Sequence, residues 1–204
     1  MSYESSVIDA GALDLGENPA AQAVATPPLA WQLTQDLARL ASGLGLAAVY
    51  GLALGARGGG MQLLRHALGA PLGLLVVAGV AAPSLFVRLA LMDAPLRPAQ
   101  LVGAVAQGTF AAGLVLAGLA PAAAMLVVSI ESAQAAAWMS GLGLWLAGGI
   151  GLVNLFGALS AGLAGASLTM RSRALLSIAV FAVLACALSA RAWGAWLPLL
   201  GGAS

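Results

Sequence analysis

The sequence predicts an all-α integral membrane bundle of about five transmembrane helices, with six possible. Three observations predict it: 61% of the 204 residues are hydrophobic, only 7% are charged, and the apolar residues gather into long runs. Soluble domains carry about 25% charged residues. A water-exposed fold as poor in charge as this one would present a large aggregating surface, so lipid is its natural solvent. The mean hydropathy of +1.00 agrees. All eight basic residues are Arg and none is Lys, a bias that reads as GC-rich coding.

The elements follow in order. Residues 1–28 carry Glu4, Asp9, Asp14 and Glu17 with no basic residue, and end in Pro27-Pro28. Composition makes this an acidic, flexible tail or a docking segment for a partner. It has neither the basic nor the apolar region of a cleavable signal. Residues 29–200 form the predicted helical transmembrane domain. In 29–40, Leu33, Leu37 and Leu40 fall at i, i+4, i+7 with Gln35, Asp36 and Arg39 off the stripe. That spacing predicts an interfacial helix, and Trp31 suits headgroup depth.

A crossing needs about 20 mainly apolar residues. The first is expected near 41–56, continuous with the interfacial helix. Gly58-Gly59-Gly60 then breaks the chain, and the segment with Arg57, Arg65 and His66 reads as a short amphipathic turn on the membrane surface. The second span is expected near 70–92 with Pro83 inside it, followed by a polar turn with Asp93, Pro95, Arg97 and Pro98. The third covers about 99–119. From Pro121 a short apolar stretch, PAAAMLVVSI, reads as the connection and first turns of a fourth helix that runs to about 160. Splitting this region would give six spans. The last span covers about 174–197, between Arg171 and Arg173 and the interfacial Trp193 and Trp196.

With the N-terminus inside, Arg39, Arg88, Arg97, Arg171 and Arg173 share the inner side, against Arg57, Arg65 and Arg191 outside. Five against three predicts an N-terminus on the inner side.

Little in the chain points to chemistry. The net charge of +1 offers no field for nucleic acid. The single histidine, His66, and the single cysteine, Cys186, predict no metal centre, disulfide or cofactor, and no motif marks an enzyme. Glu131 stands out, because a carboxylate at membrane depth costs roughly 2.5 kcal/mol or more and usually faces a cavity or partner. With Ser129, Ser132 and Gln134 it makes a candidate proton or cation site, and Arg191 is a candidate pairing partner across helices. The plainer reading places Glu131 at the interface, ending a helix. Arg88 reads as an interfacial ion-pair partner of the Asp93 turn. Gly51 with Gly55, and Gly69 with Gly73, have the spacing that lets helix backbones approach. Gln107 and Asn154, in mid-span, are expected to bond between helices.

Three stretches together carry a resemblance: AAVYGLALG at 47–55, ALGAPLGLL at 67–75 and APSLFV at 82–87. In that order they resemble a group of bacterial membrane proteins with a Yip-like arrangement of about five spans. In that group a Tyr-Gly ends the first span and two prolines mark the second, here Tyr50, Gly51, Pro71 and Pro83. The resemblance implies five spans, a cytosolic N-terminus and a non-enzymatic role. Two functions are therefore expected as alternatives. One is a non-catalytic membrane subunit or scaffold that anchors or organises partner proteins in a larger complex. The other is a small transporter or channel component using Glu131.

Overall fold

A computed structural model describes residues 28–56, 60–91, 97–163 and 167–196. The acidic tail, the linker glycines Gly58 and Gly59, and the polar turn at Asp93 and Pro95 lie outside the described residues. Five helices account for the rest: α1 (Leu29–Gly55), α2 (Gly60–Ala90), α3 (Pro98–Ser129), α4 (Ala133–Gly162) and α5 (Leu168–Trp196). Each contains a stretch long and apolar enough to cross a membrane. At 1.5 Å per residue, the 27 residues of α1 reach about 40 Å and the 32 of α3 about 48 Å, against a hydrocarbon core of about 30 Å.

Two boundaries differ from the sequence reading. The segment 60–69 is not a surface turn, because α2 begins at Gly60 and runs unbroken through Pro71 and Pro83. Gly60, with φ of +47°, starts it in a conformation that side chains disfavour. Tertiary support explains the continuation: the backbone at Leu63, His66 and Ala67 lies directly against Gly55 and Gly51 of α1. Nor does Pro121 begin a new helix, since α3 passes through it to Ser129. Carrying a helix through proline sacrifices the bond to the carbonyl four residues back, here Ala117. A break inside lipid would expose several backbone groups at once, so continuation costs less.

The true connection between α3 and α4 is the three-residue turn Ile130–Glu131–Ser132. Ser132 caps α4, its Oγ accepting the Ala135 N–H at 3.3 Å. At the other end, α3 starts with Pro98 in its first turn, and the Arg97 N–H donates to Gln100 Oε1 at 2.9 Å. Ser167 Oγ accepts the Met170 N–H and so opens α5.

The helices pack in the order α5–α2–α1–α3–α4. The most extensive contacts join α1 to α3 and α3 to α4, α2 touches α3 lightly, and the backbones of α4 and α5 approach closely at few points. Glycine permits the closest contacts. A Cβ on Gly43 of α1 would sit 2.8 Å from Phe110 Cα of α3, and one on Gly113 would strike Gly43 in return. Gly108 of α3 and Gly151 of α4 face each other reciprocally, a Cβ on either lying 2.9 Å from the carbonyl of the other. With no water to expel, such close backbone packing is a principal source of helix affinity in lipid.

Side chains fill two cores at opposite ends. Leu85, Leu89, Leu101, Leu159, Ile178 and Phe181 join α2, α3, α4 and α5 near the turn-side ends of Ala90 and Pro98. Tyr50, Leu54, Leu116, Ala123, Val127 and Leu144 join α1, α3 and α4 towards the Ile130–Ser132 turn.

Candidate functional site

Between the two cores lies a hollow of about 220 Å³, bounded by α2, α3, α4 and α5. Its walls follow from composition: four spans rich in glycine and alanine meet where their side chains are too short to close the space. Ala78 and Ala82 line it from α2, Gly108 and Ala112 from α3, Gly148 and Gly149 from α4, and Ala185 and Ala190 from α5. Larger apolar groups complete it, among them Leu74, Val77, Leu152 and Phe181. The polar lining is confined to Thr109, Ser189, the Cys186 thiol and the indole of Trp145. No charged residue belongs to this lining.

The hollow is bordered on one side by the seam between α4 and α5, whose backbones approach closely at few points and whose side chains meet in the Leu159–Ile178 core. Gly148 and Gly149 stand at this seam, and a Cβ added to either would meet nothing within 4 Å. Trp145, one turn earlier, is 61% exposed.

The sequence-derived candidates lie elsewhere. Glu131 and Ser132 are in the exposed α3–α4 turn, and Ser132 is occupied as a cap. Gln134 begins α4, with a side chain outside the described residues. Arg191 is exposed in the last turns of α5. Because α5 runs antiparallel to α2 across the Leu85–Phe181 core, Arg191 lies at the same end of the bundle as Glu131. Trp193, Trp196 and Arg171 are on α5, with side chains outside the described residues. Gly51, Gly55, Gly69 and Gly73 are all buried, the first two against the α2 backbone.

One polar feature escaped the sequence reading. Asp36 does not face an aqueous surface: its side chain is 13% exposed and turned to α3, where a Cβ on Gly103 would come within 3.1 Å of its carboxylate. Arg39 Nη1 lies 3.5 Å away on the next turn. The signal was present, because in lipid a polar residue turns inward and the leucine stripe turns out, and Leu37 is 60% exposed.

The two mid-span amides that the sequence singles out form a second polar feature. Gln107 is exposed on α3, and Asn154 of α4 is half-buried, donating through Nδ2 to Ile150 O of its own helix at 2.9 Å. The expected interhelical bond at Asn154 is thus a local one. Residues 107 and 154 flank the Gly108–Gly151 crossing, so two side-chain amides stand within a turn of one another in depth.

Compared with models of known families, with curated proteins and with solved structures, the chain matches none.

Proposed function

We propose that the protein is a non-catalytic integral membrane subunit that anchors or organises partner proteins in a membrane assembly. The observation that carries this reading is the amide pair at the Gly108–Gly151 crossing, with Gln107 exposed at membrane depth. A carboxamide in hydrocarbon loses its hydrogen bonds to water, and an interhelical partner returns roughly 1 kcal/mol each. A transmembrane helix of another subunit, bearing a hydroxyl or amide, fits that face. The tight locking of α1 against α2 and α3 supports the same role, because it fixes the point from which the acidic segment 1–28 departs. The Yip-like stretches around Tyr50, Pro71 and Pro83 and the arginine distribution support a bacterial inner membrane with the N-terminus cytoplasmic.

Extraction in a mild detergent followed by native mass spectrometry tests the proposal. Partner subunits should accompany the chain in fixed ratio, and the double substitution Gln107→Leu, Asn154→Leu should release them about tenfold more readily while the bundle stays folded. Deleting residues 1–28 should release cytoplasmic partners only. A chain that runs alone or as a homo-oligomer sinks the subunit reading. The transporter reading would then lead, motivated by Glu131 with Ser129 and Ser132 beside it. Its own test is Glu131→Gln, which should abolish flux and leave assembly intact.

A further inference from the structure

We infer that the hollow between α2, α3, α4 and α5 is a binding site for one acyl chain of a membrane phospholipid, admitted through the α4–α5 seam. This site does not rest on the anchoring role, although Gly108 and Gly151 line it and the amide pair flanks the same crossing.

The lining fixes the chemistry of the occupant. It has no charged residue, and its few polar groups (Thr109, Cys186, Ser189 and Trp145) are weak partners in an otherwise apolar wall. A headgroup is therefore excluded from the interior, and water would find too few hydrogen bonds to stay. An apolar space of about 150 Å³ already admits a benzene-sized guest in a soluble protein, and this one measures about 220 Å³.

Shape decides between a lipid chain and a protein helix. On α4 the lining runs from Leu144 to Leu155, roughly 16 Å at 1.5 Å per residue. The hollow is therefore long in the direction of the helices, which is also the direction of the lipid tails. Spread over that length, with the radius of a water molecule added all round, this space makes a bore of about 7 Å, narrower than the about 10–12 Å of a helix with side chains. A single hydrocarbon chain has the right width and no backbone polar groups to satisfy.

Access comes from the seam. The backbones of α4 and α5 make the slightest contact of neighbouring elements, and Gly148 and Gly149 leave the space before them open. A chain can slide in sideways from the bilayer while its headgroup stays at the surface.

The experiment uses the full chain in vesicles of phosphatidylethanolamine and phosphatidylglycerol doped with a phospholipid bearing a diazirine in its acyl chain. After irradiation, the labelled residues are read by peptide mass spectrometry. Adducts on Leu152, Cys186 and Ser189 should survive dilution with excess detergent before irradiation, whereas those on the outward Leu142, Val153 and Val183 should disappear. The substitutions Gly148→Leu and Gly149→Leu, which fill the space, should cut labelling of Cys186 and Ser189 at least fivefold. Continued absence of adducts on the packed Leu116 and Leu159 reports that the variant is folded. Inner adducts that vanish on dilution as fast as the outer ones overturn the proposal, even if neither variant folds. So does unchanged inner labelling in a folded variant, or protection of the inner residues by a co-purifying protein.

Discussion

Two kinds of seam in this bundle are built from the same residue and behave in opposite ways. Where α3 meets α1 and α4, Gly43, Gly113, Gly108 and Gly151 bring backbone against backbone. Between α4 and α5, Gly148 and Gly149 face open space. The first arrangement uses glycine to remove an obstacle; the second uses it to leave a gap. Glycine frequency therefore says nothing about tightness until the facing residue is known.

The sharpest way to break this comparison is within α3 itself. Gly113→Leu places a branched chain on the Gly43 backbone, where no rotamer avoids it, and overpacking of this kind costs about 3 kcal/mol or more. Reversible unfolding in mixed micelles should show the bundle lost or severely weakened. Tyr50→Ala comes next. Tyr50 is 1% exposed, with its hydroxyl against Gly143 of α4, and truncation should cost about 3 kcal/mol in the same assay. A smaller effect of opposite sign is expected at Ser177, whose Oγ is buried on α5 without a hydrogen-bond partner among the described residues. Ser177→Ala removes that burden and should raise stability by about 0.5–1 kcal/mol. Smallest of all is Gly118→Leu, five residues beyond Gly113 but with nothing within 4 Å of its Cβ position. Its stability should stay within about 0.5 kcal/mol of the parent. A large loss at Gly118, or none at Gly113, would mean that the seams are not divided as described.

The number of spans was legible because hydropathy is a property of the segment, and lipid imposes helices on any segment that long. Where the helices begin and end was less so. Pro121 and the stretch after Gly60 look like breaks when read locally, yet both are carried through by neighbours that the sequence does not display. Asp36 was misread for a related reason: the 29–40 pattern was oriented as if water lay on its polar side. The central hollow had no signature at all, being a shortage of side-chain volume distributed over four helices. Glu131 drew attention by its charge, but the residues that shape the interior are alanines and glycines, which draw none.

The three-residue turn at Ile130–Ser132 also bears on the order of assembly. Helices joined so closely pair with little loss of chain entropy, so α3 and α4 can form a hairpin as soon as both have been synthesised. Helix α5 has a longer return: its partner is α2, and the Leu85–Phe181 contact reaches back across two intervening helices. Contacts so distant along the chain form late. Paired cysteines across Gly108–Gly151 should therefore become linkable on a nascent chain before a pair joining α2 to α5. The last helix to arrive is the one that borders the open seam, so lipid has reached the interior of the unfinished bundle before its final wall is in place.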